Sequence, residues 1–469
     1  MNFASQTVWT ADCLDIMRGM NSECIDLICL DPPFNSNANY AASIGSQAAG
    51  AEFKDTWTMS DIDSEWINLI QSKHPALYRV LLAALTDSDK SYLVYMAVRL
   101  LEMRRILKST GSIFLHCDPT MSHYLKLVLD AIFGRSGFRN EIVWKRTNAP
   151  TASPYKLGSV HDTIFLYAMS NDTRLRPVFI PFSAEYIKRH FRYNDERGLY
   201  QASPLTAKGV RSGYSGGIWR GVDVSAKGLH WSCPTAFPDP LNMPEDWGDM
   251  NTLVKLDWLD EHNMIHWPKR GATPRFKRYL STSKGARLSD NITDVPGVQG
   301  ASKENQGYPT QKPLALYKRF IEAGSDVGDV VLDPFCGCAT TCIAAQDLGR
   351  QWAGIDVAGK AIELTQKRLR NELGLFANPI HRRDIPKRTD LGALPRPAAH
   401  KKALYGEQAG HCEGCDHHFQ IQHLEVDHII PHSKGGTDNI ENLQLLCGSC
   451  NRIEGNRGME YLRVKLQLN

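Results

Sequence analysis

Apolar residues in this chain gather in short runs that stop abruptly at Asp or Asp-Pro, and segments with helical spacing of apolar positions lie between them. The run Ile25-Asp26-Leu27-Ile28-Cys29-Leu30 ends at Asp31-Pro32-Pro33-Phe34. A nearly continuous apolar run predicts a strand buried on both faces, and proline, which cannot donate to a ladder, turns it into a loop. Ile113-Phe114-Leu115-His116 predicts a second strand, with Asp118-Pro119 as N-cap and first helical residue of a helix reaching Phe133. Val330-Val331-Leu332 predicts a third, running into Asp333-Pro334-Phe335-Cys336-Gly337-Cys338-Ala339-Thr340-Thr341 and a helix from about Thr341 to Leu348. Trp352-Ala353-Gly354-Ile355 predicts a fourth, ending at Asp356. This alternation predicts the α/β class: a parallel sheet with helices on both faces.

The pattern divides the chain. Residues 1–375 carry the alternation, which weakens between about 140 and 305. There Gly, Pro, Trp and Tyr mix with basic pairs such as Lys145-Arg146, Lys188-Arg189, Lys269-Arg270 and Lys277-Arg278. Basic residues among aromatics suit phosphate contact with base stacking; a solvated insertion with its own small core is the plainer reading. Residues 376–402, rich in Pro, Arg and Lys, read as a linker, and residues 403–469 as a separate small domain.

Composition changes this picture little. At 469 residues with 42% hydrophobic and 22% charged positions, the chain is an ordinary globular one, and a formal charge of +3 neither demands nor forbids nucleic acid. No apolar run approaches the ~18–20 residues of a membrane span. No secretory signal is read at the start, so a cytoplasmic location is expected. Of 12 cysteines, the last four fall into two tight pairs, Cys412/Cys415 and Cys447/Cys450, which in a reducing compartment read as metal ligands.

Two stretches carry chemistry in the first zone. From Val330 to Asp356, a strand delivers Asp333, Gly337 lets the backbone approach a ligand, and a second strand delivers Asp356, suited to ribose hydroxyls. The loop has one glycine where dinucleotide sites have three, and no P-loop lysine. S-adenosylmethionine, a nucleoside without pyrophosphate, is the leading candidate; a tight turn with no ligand is the alternative. In Asp31-Pro32-Pro33-Phe34 the carboxylate and the Pro32 carbonyl can accept from one exocyclic amino group, with Phe34 as a stacking face for an extruded base.

These stretches bring the chain to a family. With Asp12-Cys13-Leu14, Asp31 to Ser36, Gly111 to Gly134, Tyr308-Pro309-Thr310-Gln311-Lys312-Pro313 and Asp333 to Asp356 in that order, residues 7–375 resemble the DNA amino-methyltransferases in which the catalytic motif precedes the cofactor motif. The resemblance implies a Rossmann-like S-adenosylmethionine-dependent sheet with a target-recognition insertion at about 140–305. It implies that Asp12 contacts the cofactor adenine and Asp356 its ribose. Asp333, Phe335 and Gly337 would line the methionine side, Thr310 and Lys312 would hold its carboxylate, and Asp31, Pro32 and Phe34 would hold the base. Ala339 stands where the family usually has a second glycine, and fits if its φ is negative. Asp31 in the first motif position resembles adenine-N6 more than cytosine-N4 enzymes. Carbon-5 methylation, which needs a Cys nucleophile after Pro, is excluded because no Pro here precedes Cys.

In the tail, Cys412-x-x-Cys415 and Cys447-x-x-Cys450 have the spacing of a structural four-thiolate zinc site. Asp427 and Asn451 are hard oxygen ligands suited to Mg²⁺, and His428 beside them can deprotonate water. About residues 405–458 resemble the HNH endonucleases, a ββα-metal fold. The resemblance implies Asp427 and Asn451 on the catalytic metal, His428 as general base and Asn442 orienting it. Glu454 stands where the family often has Lys, and His432 and His423 read as bystanders. The tail carries nine acidic against five basic residues, so DNA affinity falls to the linker and the recognition region.

The expectation is a DNA adenine methyltransferase fused to an HNH endonuclease, acting on double-stranded DNA as a single-chain restriction–modification protein. One such nuclease site cuts one strand, so a double-strand break calls for a homodimer or two visits. A methyltransferase whose zinc tail only binds DNA, and a degenerate DNA-binding component, are the alternatives.

Overall fold

The computed structural model describes residues 1–36, 38–41, 52–59, 66–67, 70–71, 73–148, 155, 157–235, 243–268, 273–300, 302–373, 379–391 and 396–466. The pair Lys269-Arg270 and residues 376–378 and 392–395 of the expected linker lie outside them.

Nine strands form the central sheet: β1 (Thr7–Thr10), β2 (Ile25–Leu30), β3 (Leu107–Cys117), β4 (Phe138–Lys145), β5 (His161–Ala168), β6 (Asn291–Ile292), β7 (Val330–Asp333), β8 (Gln351–Asp356) and β9 (Ile380–Arg382). Their spatial order is β6-β4-β5-β3-β2-β7-β8-β1-β9. Every neighbouring pair is parallel except those of β5, which runs against both β3 and β4. The expected parallel α/β sheet is present, with this one strand reversed. A parallel partner needs a crossover of a dozen or more residues, usually helical, and the stretch between Lys145 and His161 has no helical pattern.

Alternation along the strands sends side chains to both faces, as the apolar runs require. Ile28, Leu30, Ile113, Leu115, Leu332 and Ile355 share one core with the helices Cys13–Gly19, Asp87–Ile106 and Ser122–Phe133. On the other face Phe114 stacks on Phe320 of the helix Leu314–Gly324, with ring centroids 4.8 Å apart. Gly354 lets the helix Thr340–Asp347 approach there: a Cβ on it would lie 3.0 Å from the Cys342 sulfur. The helix Ser122–Phe133 starts later than its expected cap, because Asp118 accepts the N–H groups of Thr120 and Met121 in a separate turn.

The linker reading is also corrected over residues 380–390. Ile380–Arg382 is the edge strand β9, paired in parallel with Thr7–Trp9. The Asp384 carbonyl accepts from the Trp9 indole, Asp390 accepts the Ser22 N–H, and Pro386 is buried. The composition suggested solvation, but the backbone found partners on the first strand and in the turn after the first helix.

Residues Phe179–Leu288 form a second compact unit. It has a four-stranded antiparallel sheet, Ile265–His266, Arg275–Tyr279, Gly198–Pro204 and Tyr193–Asp195, and its own core. Trp219, Trp231 and Trp247 are buried in that core, so these three cannot stack on bases. Lys277 is buried too, with its ammonium 2.8 Å from Asp195. Lys188 and Arg189 are exposed. The expected recognition region of about 140–305 is thus wider than the compact unit, since Phe138–Lys145, His161–Ala168 and Asn291–Ile292 are sheet strands.

The tail is a ββα unit: β10 (Leu424–His428) pairs antiparallel with β11 (Leu443–Cys447), and the helix Gly448–Glu454 follows. Its core is Leu404, Leu424, Leu445, Leu446, Met459 and Leu462. One loop of the tail rests on the first helix of the sheet domain: a Cβ on Gly435, whose φ is +84°, would lie 3.1 Å from Arg18 Cβ and 3.2 Å from the Asp15 carbonyl oxygen.

Gly19 tests the corrected linker. A Cβ there would sit 2.1 Å from the Pro386 carbonyl oxygen and 2.5 Å from Ile385 Cγ2. Gly19→Ala is expected to destabilise the fold by about 1–3 kcal/mol, the usual range for overpacking. Hydrogen exchange at residues 380–390 should rise selectively; unchanged protection there would mean that the segment is not held by this contact.

Candidate functional site

The carboxyl ends of β2, β7 and β8 lie level, because Ile28 pairs with Leu332 and Asp333 with Gly354. Outside this edge lies a cavity of about 810 Å³. Asp31, Pro32, Phe34, Thr310, Lys312, Asp333, Phe335, Gly337 and Asp356 all line it. Ligands of open α/β sheets bind at such an edge.

At one end, the Lys312 ammonium lies 2.8 and 2.6 Å from the two Asp31 carboxylate oxygens. It also donates to the Thr310 carbonyl at 3.3 Å and sits 4.9 Å from the centre of the Phe34 ring. Lys312 is only 8% exposed, and a charge so buried requires a partner. The turn that carries Asp31 is pinned behind it. Asn35, with φ +58°, and Ser36 give their backbone N–H groups to the two oxygens of buried Asp55 at 2.7 and 2.8 Å. The Asn35 side chain bridges Asp89 and Ser88 on the helix Asp87–Ile106.

His116, inside the Gly111-to-Gly134 stretch but given no role from sequence, joins this end. It is 1% exposed, stacks on Phe34 at 5.6 Å, and its Nδ1 lies 4.0 Å from an Asp31 oxygen with no hydrogen-bond partner. Its Nε2 is 3.2 Å from Asp162, which pairs with Arg146 at 2.8 Å. Burial opposes the charge of Asp162, yet the His116 hydrogen bond and the nearby cations hold its carboxyl below the usual range. A lone His ending an apolar strand beside Asp118-Pro119 was the one visible signal.

At the other end, Gly337 adopts φ +47°, and a Cβ on it would lie 3.0 Å from the Tyr308 ring. Its N–H donates to Asp356 at 2.9 Å, and the Ala358 N–H donates to the other oxygen at 2.8 Å. Burial raises the Asp356 carboxyl against those donors. Ala339 corrects an expectation: its φ is +64°, not negative. Its N–H closes a tight turn on the Cys336 carbonyl at 2.7 Å. Thr310, at φ +60°, is also left-handed. Such a conformation costs an L-residue about 1–2 kcal/mol, and strain of this kind collects around ligand sites.

Asp12 stands apart from the cavity wall, although its neighbours Ala11 and Cys13 line it. One Asp12 oxygen caps the helix Cys13–Gly19 through Leu14 N–H, and the other lies 2.6 Å from Arg99. Arg99 in turn packs over Tyr95, which does line the cavity.

In the tail, the sulfurs of Cys412, Cys415, Cys447 and Cys450 all lie within 4.8 Å of one another, a donor set that could hold zinc. The other residues are arranged differently from expectation. The Asn442 amide does not reach His428; it donates to the carbonyls of Ile430 and Thr437 and accepts the Ile430 N–H. The partner of His428 is Asp438, at 2.8 Å from Nε2, and His432 shares the same oxygen at 2.9 Å. The His428 hydrogen bond holds the Asp438 carboxyl low. Asp427 and His428 are consecutive on β10 and point to opposite faces; Asp427 accepts from Gln444 at 3.1 Å, and Asn451 donates to Glu425. Glu454 is fully buried, and burial with nearby Asp427 pushes its carboxyl up to about 7.

Comparison with known proteins agrees with both halves. A family model described as DNA methylase matches residues 25–367, and one described as HNH endonuclease matches residues 412–457. The chain is 33% identical over 308 residues to the type II methyltransferase M.EcaI of Enterobacter cloacae, covering 65% of this chain and 63% of that protein. It is 26% identical over 359 residues to the StyLTI Mod subunit, a type III restriction-modification enzyme of Salmonella typhimurium, covering 74% of this chain and 50% of that one. The chain therefore spans between half and two thirds of the length of these relatives. Among solved structures, the cytosine-N4-specific PvuII DNA methyltransferase aligns over 81% of this chain and 90% of its own, at 12% identity and a TM-score of 0.36. Among the described residues, no helix is long and apolar enough to cross a membrane.

Asp333 gives the edge a pH signature. Burial, with Asp31 and Asp356 nearby, pushes its carboxyl up to about 7 although Thr341 and the Phe335 N–H donate to it. The folded chain thus keeps a proton that the unfolded chain releases near pH 4, so stability falls as pH rises between those values. Asp333→Asn should melt a few degrees above the wild type at pH 8 in the absence of ligands, with the gap narrowing as the pH falls to 5. A gap that is equal at both pH values would refute this origin.

Proposed function

We propose, because this chain belongs to the DNA methylase family and carries an HNH endonuclease domain, that it methylates the N6 amino group of adenine in double-stranded DNA and cuts DNA lacking that methyl group. The observation that carries the reading is the shared cavity: the Asp31-Pro32-Pro33-Phe34 turn and the Asp333-to-Gly337 loop open on one space with Asp356.

S-adenosylmethionine, when bound, supplies an electrophilic methyl group. In this reading Asp356 takes the nucleoside side, Asp333, Phe335 and Gly337 the methionine side, and Asp12 supports the adenine end through the first helix. Asp31 and the Pro32 carbonyl accept from the two amino hydrogens of the base, which keeps the nitrogen lone pair out of the ring and aimed at the methyl carbon. Phe34 stacks on the extruded base. With the methyl group passing from the sulfonium to the amino nitrogen, Asp31 would take up the proton that the nitrogen sheds. Asp31 at the first motif position supports adenine over cytosine. Lys312 is read as a positioning residue for Asp31, with Thr310 shaping its loop. The compact unit 179–288, with Lys188 and Arg189 exposed, is read as the target-recognition region, and 403–469 as the nuclease domain.

In the tail, the thiolate quartet suits structural Zn²⁺. Asp427 and Asn451 suit Mg²⁺, and His428, held by Asp438, suits a general base; together these support phosphodiester hydrolysis in the cytoplasm, with a homodimer making the double-strand break. The opposed directions of Asp427 and His428 and the engagement of Asn451 by Glu425 favour a second reading, in which the tail grips DNA without cutting it.

Two plasmid preparations test the pairing. One is unmethylated; the other is methylated beforehand by the His428→Ala variant. With Mg²⁺, cutting of the unmethylated plasmid alone is expected. Cutting of neither would establish the binding tail, and cutting of the methylated plasmid alone would make the nuclease methyl-directed. Asp31→Ala should lower methyl transfer by at least about 1,000-fold while cutting persists; loss of both in a folded variant would refute independent sites.

Lys312→Met separates two roles for the lysine. Paired with Asp31, it should lower kcat at least tenfold with little change in KM for S-adenosylmethionine. A rise in KM alone would return Lys312 to the methionine carboxylate.

A further inference from the structure

We propose that His428, His432 and Asp438 form a binding site for a divalent transition-metal ion, separate from both the thiolate quartet and the oxygen ligands Asp427 and Asn451. One donor atom from each of the three side chains lies within 4.8 Å of the others. A single Asp438 oxygen faces both imidazoles, 2.8 Å from His428 Nε2 and 2.9 Å from His432 Nε2, and the two rings stand 4.3 Å apart. Ligands on one ion with metal–nitrogen bonds of ~2.0–2.1 Å lie roughly 3.0–3.4 Å from each other, so the two oxygen–nitrogen distances need open only by tenths of an ångström to admit an ion.

The loop that carries these ligands is held in advance. His428 ends β10, and His432 opens the short 3-10 turn His432–Lys434. The Asn442 amide clamps Ile430 to Thr437 from inside the loop. Gly436 donates to the Pro431 carbonyl at 3.1 Å, and a Cβ on it would lie 1.7 Å from the Ile430 carbonyl oxygen. The sequence reading made His432 a bystander and Asn442 the orienting group; the structure makes Asn442 the brace of a loop that presents His432.

The donor set fixes the class of ion. Two imidazoles and a carboxylate with open positions suit Zn²⁺, Fe²⁺, Co²⁺ or Ni²⁺, whereas Mg²⁺ and Ca²⁺ take oxygen donors. The quartet offers only thiolates. The open positions of the ion would take water or a phosphate oxygen. While the ion sits on Nε2, His428 is a ligand and that nitrogen accepts no proton, so the site turns the proposed base off when a transition metal replaces Mg²⁺ as the available ion.

The test is binding and needs no cleavage, so it stands whether or not the tail is a nuclease. The full-length chain, zinc-loaded at the quartet, is titrated with Co²⁺ by calorimetry in excess Mg²⁺, with absorption spectra in parallel. One further equivalent of Co²⁺ is expected, without the sulfur-to-cobalt charge-transfer band that thiolate ligation gives. His432→Ala and Asp438→Asn should each weaken it at least tenfold, and Asp427→Asn should not. The His432 side chain is 60% exposed, so its truncation empties no core, and retained zinc content and melting temperature verify the fold. Absence of the extra equivalent, equal Co²⁺ affinity in wild type and His432→Ala, or competition by Mg²⁺ would overturn the site.

Discussion

The pairing of β2 with β7 is the contact on which the cavity depends. It brings Asp31 to Lys312, residues 281 positions apart, and sets Asp333 level with them. Closing so long a loop costs more entropy than any single hydrogen bond returns. The cost is met by burying apolar side chains on both faces of the sheet. In exchange, three loops that carry carboxylates leave the sheet at one edge, which no local interaction could arrange.

Holding charge at that edge creates the electrostatic character of the site. Asp31 has Lys312, Asp162 has His116 and Arg146, and Asp356 has two backbone N–H groups. Asp333 likewise accepts hydrogen bonds, and burial with Asp31 and Asp356 nearby raises its carboxyl to about 7. The left-handed backbone of Thr310 lines the same space, and Asn35 and Ala339, also left-handed, are sequence neighbours of lining residues. A cavity whose walls carry strain and incompletely neutralised charge is maintained by the sheet beneath it, and has the character of a binding site rather than of a stabilising core.

The tail repeats the logic at smaller scale. Two strands and a helix of this length cannot bury enough surface alone, which suits a metal clasp at the four cysteines. Its loops are fixed by polar clamps such as Asn442, and one of them lies against the helix that Asp12 caps. This loop of the HNH domain and the first helix of the methylase domain are thus in direct contact through Gly435.

The sequence was most informative where chemistry demands residue types at short spacing. The strand Ile25–Leu30, the turns at Asp31 and Asp333, the end of β8 at Asp356 and the two cysteine pairs were legible because each is a local feature of one to ten residues. What sequence could not provide were partners supplied from afar: Lys312 on Asp31, His116 behind Phe34, Asp438 on His428, and β9 added to the sheet edge from a stretch with a linker's composition. It also missed backbone conformations that packing imposes against intrinsic preference, such as φ +64° at Ala339, and the reversal of β5. Local propensity and motif spacing are properties of neighbouring residues, so the sequence determined which groups the protein carries. Which group faces which is set by strand register and long-range burial, whose free energy is spread over the whole core, and the tertiary structure alone decided it.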